Sequence, residues 1–296
     1  MLSLRSQLLC LVGATFGLSP VDAVTPKYLV VFGDSYSTTN SWVGSSAPST
    51  SNPIGNPTFP GQTTSGGLNW VGQAIAKHNT SLIFAYDLAV TGATTDKEIV
   101  DTYAQYNFDD QVETLFATYL TGSAAPWNSA GGGGAGSVLV AVWCGINDVG
   151  EPFWDGVSAP IDAIQDRYFG LLEELYADGL RNFVLFTVPP FDRAPAFTYE
   201  PAAQVASLRS DIKTYNAQLA SRLATFKASH SSVTAQIFDT APTFETVLDD
   251  PTAYGAPDAT CVNGDGTSCL WADTYHPGLV IHELLAEALV KAVKFF

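Results

Sequence analysis

The pattern of apolar and polar positions alternates between two kinds of segment. Tyr28–Phe32, Ile83–Leu88, Ser137–Trp143, Asn182–Val188 and Val233–Phe238 are compact, largely apolar runs. A strand reads this way when its sheet is covered on both faces, because neither face is then offered to water. Between these runs the spacing turns helical. Val205, Leu208, Ile212, Tyr215, Leu219, Leu223 and Phe226 recur at three- and four-residue steps, as do Ile281, Leu284, Leu285, Ala288, Leu289, Ala292 and Val293. Ile161 to Tyr176 follows the same period. That spacing gathers the apolar side chains into one stripe per helix.

Strands alternating with helices imply parallel pairing through right-handed crossovers. The expected fold is α/β, a three-layer α/β/α sandwich around a central parallel sheet. In such a sheet a site lies beyond the carboxyl ends of the strands. Gly33-Asp34-Ser35-Tyr36-Ser37 directly follows the first run, and Gly145-Ile146-Asn147-Asp148, read as a turn, follows the third. Residues 41–67, rich in Ser, Thr, Pro and Gly, make a long loop near the first of these, and 131–136 reads as a flexible connector. No internal repeat or domain boundary interrupts the pattern.

Composition narrows the class. The 296 residues are 46% hydrophobic and 14% charged, which reads as globular. A formal net charge of −16, from 13 Lys+Arg against 29 Asp+Glu, argues against nucleic-acid or anionic-membrane partners. Arg5, the apolar stretch Leu8 to Leu18 and the small-residue site Val21-Asp22-Ala23 form an export signal over residues 1–23. The apolar stretch is too short to span a bilayer. Residues 24–296 are therefore expected to be a single secreted, soluble domain, and a monomer.

Secretion gives the cysteines meaning. Cys261 and Cys269 flank a turn-rich loop that an oxidising compartment would staple as a disulfide. Cys144, inside an apolar flank, reads as a buried free thiol. Asn79-Thr80-Ser81 is a glycosylation sequon on a surface loop.

The polar clusters carry the chemistry. A serine hydroxyl becomes a useful nucleophile when an imidazole accepts its proton and a carboxylate fixes that imidazole. Ser35 stands at a strand-to-loop junction, although Ser37 departs from the Gly-x-Ser-x-Gly elbow. The chain has four histidines. His78 beside the sequon and His230 in a polar turn read as solvated, and His282 as helix surface. His276, before Pro277-Gly278, is left as the base. Asp273 lies three residues earlier and can reach the ring, with a helix cap as its other role and Asp148 or Asp192 as fallback acids. For the oxyanion of a tetrahedral intermediate, the Gly92 N–H and the Asn147 side chain offer donors.

Gly33-Asp34-Ser35, Gly92, Gly145-Ile146-Asn147-Asp148 and Asp273-Thr274-Tyr275-His276-Pro277 stand in the order of the four sequence blocks of the GDSL, or SGNH, hydrolases. The resemblance spans nearly all of residues 24–296. Phe32–Ser37, Trp143–Gly150 and Val188–Arg193 are most similar to the secreted fungal branch grouped as carbohydrate esterase family sixteen, acetylesterases acting on acetylated sugars. The resemblance implies a flavodoxin-like fold and a Ser35–His276–Asp273 triad. It also implies an oxyanion hole of the Ser35 N–H, the Gly92 N–H and the Asn147 side chain, and no metal or organic cofactor. Residues 61–67 look like a worn Gly-Arg-x-Ser-Asn-Gly segment of plant relatives, without its Arg and Asn.

Three readings compete. One is a serine esterase for short acyl groups on small-molecule or oligosaccharide esters. The second is a lipase or phospholipase for longer chains. The third is a non-catalytic sugar binder stacking sugars on Trp42, Trp70, Trp127, Trp143, Trp154 and Trp271. Other motifs fail on context. Gly131, Gly133 and Gly136 spell a dinucleotide fingerprint but precede a strand, and residues 263–266 lack the ligand ladder of a calcium loop.

Overall fold

The computed structural model describes residues 25–296; the expected export signal lies outside them. The five apolar runs become β1 (Lys27–Gly33), β2 (Ile83–Asp87), β3 (Val138–Trp143), β4 (Asn182–Phe186) and β5 (Thr234–Phe238). All pair in parallel, in the order β2-β1-β3-β4-β5. The chain first winds from β1 to β2 and then returns to the other side of β1 to lay down β3. Such a reversal opens a crevice at the carboxyl ends of β1 and β3. β1 ends at Gly33, whose partner on β3 is Trp143, so residues 34–37 and 144–148 emerge side by side at that crevice.

Helices cover both faces. On one, α1 (Trp70–Ala76) packs against α8 (Leu279–Ala292), which also meets α7 (Ala241–Asp249). On the other, α4 (Ile146–Trp154), α5 (Ile161–Ala177) and α6 (Ala202–Ser229) pack together. A broken helical run joins them, made of α2 (Phe108–Asp110), a π-helical turn at Gln111–Phe116 and α3 (Ala117–Tyr119). The stripes foreseen on α5, α6 and α8 are the buried ones. Leu29, Val30, Val31, Phe32, Val140, Ala141, Val142 and Trp143 are wholly buried. Burying each large aliphatic or aromatic side chain is worth about 1.5–3 kcal/mol, so the two strands that carry the site are anchored by their own burial.

Three sequence expectations are corrected. Residues 146–148 are the first turn of α4, not a free turn, because Gly145 adopts φ +130° and swings the chain straight from β3 into the helix. Pro152 cuts that helix short, which hid its period. His282 is not on a helix surface. It belongs to the stripe of α8 that faces α1, wholly buried, where its Nδ1 accepts the Trp70 N–H at 3.2 Å. Desolvation, helped by the charge of His276, pushes its pKa down to about 3, so the ring stays neutral. His78 and His230 are partly covered rather than solvated, and His230 packs on Tyr176 and Phe226 while meeting Glu173 at 2.7 Å.

The cysteine expectations hold. Cys261 and Cys269 form a disulfide, and Cys144 is a buried free thiol. Trp70, Trp127, Trp143 and Trp271 are core residues, which leaves only Trp42 and Trp154 substantially exposed among the tryptophans. No helix among the described residues is long and apolar enough to cross a membrane.

Candidate active site

The segment after β1 makes a tight turn in which the N–H groups of Ser37 and Thr38 donate to the Asp34 carbonyl at 3.1 and 3.0 Å. Gly33 sits at φ +150°, and a Cβ there would collide with the Trp143 carbonyl. A side chain is thus excluded both by conformation and by the neighbouring strand. The turn holds Ser35 at the mouth of the crevice, almost buried.

From the other end of the chain, the segment between the disulfide loop and α8 folds over Ser35. The Ala272 N–H donates to the His276 carbonyl at 2.9 Å, and Trp271 bridges to both Val262 and Pro277. The disulfide loop is therefore one wall of the turn that carries Asp273 and His276. Ser35 Oγ lies 2.8 Å from His276 Nε2, and His276 Nδ1 lies 2.7 Å from Asp273 Oδ2. The carboxylate selects the tautomer with the proton on Nδ1, which leaves Nε2 to accept from Ser35. Asp273 Oδ1 accepts the N–H groups of Tyr275 and His276, both at 2.8 Å. Burial acts to raise the Asp273 pKa, but the His276 hydrogen bond and charge, with these two N–H donors, hold it below the usual carboxylate range.

Asp273 is not a helix cap; Gly278 occupies that position on α8. Nor are the fallback acids at the base. Asp148 is wholly buried and accepts the Thr95 N–H at 2.9 Å, and Asp192 is held by the Arg209 guanidinium at 2.8 Å.

Gly92 and Asn147 approach the same crevice. Gly92 has φ +80°, and a Cβ on it would lie 2.7 Å from the Tyr103 ring, so the position demands glycine. Asn147, at the start of α4, donates from Nδ2 to the Ala93 carbonyl at 2.9 Å. That bond fixes the amide beside the Gly92 loop and leaves its second N–H for a ligand. Among the described residues, the N–H groups of Ser35 and Gly92 meet no acceptor. The Ser35 and Gly92 N–H groups and the second Asn147 amide N–H are the donors left open around the crevice. Replacing Asn147 with Ala is expected to lower kcat for ester hydrolysis by about 10²–10³-fold. A loss under threefold would remove Asn147 from that set.

Several positioning residues went unseen in the sequence. Gln111 accepts the Gly33 N–H and donates to the Gly33 carbonyl, at 2.9 and 2.8 Å, clamping the end of β1 from the π-helical turn. Asn69 donates to the Ser37 and Thr38 carbonyls at 2.6 and 3.0 Å, and Thr64 donates to the Ser35 carbonyl at 2.8 Å. The Tyr36 hydroxyl donates to the Tyr275 carbonyl at 2.6 Å, tying the serine turn to the histidine turn. Only the position of Thr64 within the worn 61–67 segment hinted at any of this.

The electrostatics beneath the site are unusual. Asp34 is wholly buried, one of its oxygens accepts the Tyr36 N–H at 2.9 Å, and the other has no partner. Desolvation, helped by the charge of Asp148, raises its pKa to about 8. Asp87 is raised to about 7 and Asp148 to about 6, both by burial above all. Each such acid binds a proton in the fold that the unfolded chain, with its Asp pKa near 3.9, has released. Stability is thus highest at low pH with respect to these groups and is lost as pH rises toward the folded values. His282 acts in the opposite sense, costing stability only below about 6.5, so the window above 6.5 isolates the carboxyls. Between pH 6.5 and 8, the melting temperature is expected to fall, with Asp34 responsible for on the order of 2 kcal/mol. Asp34→Asn, which keeps an acceptor for Tyr36, is expected to flatten that slope. An equally steep slope in the variant would contradict the assignment.

No cluster of three or more His, Cys, Asp or Glu side chains suited to a metal ion occurs among the described residues. The crevice brings a hydroxyl, an imidazole and a carboxylate into one hydrogen-bonded chain.

Residues 29–289 match the family model GDSL-like Lipase/Acylhydrolase. An acetylesterase of Thermothelomyces thermophilus is 46% identical over 277 residues, covering 92% of this chain and 89% of that protein. A thermolabile hemolysin of Vibrio parahaemolyticus is 23% identical, covering 89% of this chain and 63% of its own length. Among solved structures, a catalytic mutant of an acetylxylan esterase from Geobacillus stearothermophilus superposes with a TM-score of 0.51 at 17% identity, covering 90% of this chain and 93% of that one. At that identity the likeness speaks for the fold.

Proposed function

This chain belongs to the GDSL-like lipase/acylhydrolase family and is a carboxylic ester hydrolase, and from that premise we propose a secreted serine esterase that removes acetyl groups from acetylated plant cell-wall carbohydrate. The observation that carries this reading is the unbroken relay from Ser35 through His276 to Asp273, at 2.8 and 2.7 Å. His276 Nε2 takes the Ser35 proton as Oγ attacks the ester carbonyl. The oxygen that becomes negative is received by the Ser35 and Gly92 N–H groups and the Asn147 amide. As the tetrahedral intermediate collapses, His276 returns its proton to the departing sugar hydroxyl, leaving acyl-Ser35. Water, deprotonated by the same imidazole, then attacks the acyl-enzyme and releases acetate. Asp273 stays ionised and stabilises the imidazolium that forms twice per cycle.

The acetyl preference rests on the Thermothelomyces acetylesterase, and the carbohydrate on the resemblance of Phe32–Ser37, Trp143–Gly150 and Val188–Arg193 to carbohydrate esterase family sixteen. Export through residues 1–23 and glycosylation of Asn79 complete the reading, consistent with the Cys261–Cys269 disulfide. Hydrolysis of nitrophenyl esters from acetate to decanoate tests it, together with acetate release from acetylated xylo- and cello-oligosaccharides. Rates should peak at acetate. A maximum at decanoate would instead establish the lipase reading.

A further inference from the structure

Only two tryptophans keep a large part of their surface in water, Trp42 at 40% and Trp154 at 47% exposed. Their surroundings differ. Trp42 belongs to the long loop and leans on Tyr106 and Tyr119. Trp154 ends α4, the helix whose first turn carries Asn147. At a rise of 1.5 Å per residue, the seven steps between them place it roughly 10 Å along the axis from the oxyanion donor.

A file of rings joins Trp154 to the triad. Its indole stacks on Phe197, with centroids 5.2 Å apart and planes inclined by 17°. Phe197 meets Tyr275 at 5.8 Å, and Tyr275 meets the His276 ring at 6.0 Å. Phe153 closes edge-on against both Trp154, at 4.8 Å, and Phe197, at 5.1 Å. The exposed indole is therefore held from behind and from one side, in a fixed orientation, while part of its surface remains open. A large apolar ring left half in water forgoes burial energy, and one locked in place without a partner is preorganised to receive one.

The neighbourhood specifies the kind of partner. Glu151 lies on α4 one turn before Trp154. After burial, the charge of its carboxylate acts to raise the phenol pKa values of Tyr103 and Tyr275. Tyr103 is 78% exposed and its ring lies against Gly92. A flat aromatic surface beside a carboxylate and phenol hydroxyls suits a molecule with an apolar face and a rim of hydroxyl donors. An acyl chain would require a continuous apolar trough. A lipid surface would face Glu151 and Asp155 on a chain of net charge −16.

We infer that Trp154 is the stacking platform for a sugar ring of an acetylated oligosaccharide, at the outer end of an aromatic file that begins at His276, with Glu151 accepting that sugar's hydroxyls. The inference rests on the esterase function proposed above and adds to it the residue that reads the sugar beyond the acetylated one. It also recovers one of the six stacking candidates considered from the sequence, four of which are core.

The test compares kcat/KM on acetylated xylo-oligosaccharides of three or more units with kcat/KM on 4-nitrophenyl acetate, which has no second sugar. In Trp154→Ala the ratio of the two should fall roughly five- to tenfold, expressed in the KM for the oligosaccharide. Trp154→Phe should recover most of it. Trp154→Leu, which keeps apolar packing on Phe197 without a flat ring, should behave like Trp154→Ala and carries the test if the alanine variant melts early. An unchanged ratio in Ala and Leu variants would overturn the inference. So would a matching fall on both substrates, which marks a structural role, or a selective fall on decanoate esters, which marks an acyl site. Failure of the wild-type protein to release acetate from the oligosaccharides, while cleaving 4-nitrophenyl acetate, would instead remove the carbohydrate reading itself.

Discussion

Ser35→Ala is expected to lower ester hydrolysis by at least about 10⁴-fold while leaving the fold intact. Ser35 Oγ forms its one side-chain hydrogen bond to His276, at the crevice mouth, so its removal opens no core cavity. The chain holds no ready substitute. Cys144 is wholly buried, and burial together with the Asp148 and Asp34 charges pushes its thiol pKa well up, away from the reactive thiolate. Residual turnover in the variant should reflect only binding and the oxyanion donors. Acetate release under substrate saturation, followed beside a melting curve, checks both halves. Activity within tenfold of wild type, in a protein melting at the same temperature, would mean that another group attacks the ester.

The second large effect concerns the tautomer. Asp273→Asn preserves the oxygen that accepts the N–H groups of Tyr275 and His276, so the turn itself should survive. What it loses is the charge at His276 Nδ1, and with it the preference for the tautomer in which Nε2 can accept from Ser35. A fall of about 10⁴-fold in kcat is expected, with KM little changed, because the defect lies in proton transfer and in stabilising the imidazolium. A change confined to KM would show Asp273 acting as a scaffold residue only.

Much of the fold is legible in the sequence because a sheet buried on both faces writes itself as short apolar runs. All five runs became strands, and three helical stripes became α5, α6 and α8. Part of the candidate site was legible for the same reason, since Ser35 and Asn147 interrupt the pattern just beyond β1 and β3, whereas Asp273 and His276 stood out only as a polar cluster before α8. What stayed hidden had a physical cause in each case. The first turn of α4 was masked by Gly145 and Pro152, one bending the chain into the helix and the other truncating it. His282 looked like surface because a polar side chain on an apolar stripe is indistinguishable, in sequence, from one beside it. Its burial comes from α8 packing on α1, and the N–H its Nδ1 accepts comes from Trp70, more than two hundred residues away in the chain. The clamps from Gln111, Asn69 and Thr64 depend likewise on tertiary placement, and so carry no local signature. The raised pKa of Asp34 belongs to the same class, since desolvation is a property of the packed turn and not of the residue.

The most direct measurement is the mass of the intact protein after exposure to an organophosphate or sulfonyl fluoride, with the modified residue located by peptide fragmentation. Ser35 should carry the adduct, activity should fall in step with its formation, and labelling should slow sharply in His276→Ala. Complete inactivation with the adduct on any other side chain, or an ester-cleaving protein in which Ser35 stays unmodified, would contradict the central claim that His276 makes Ser35 the nucleophile.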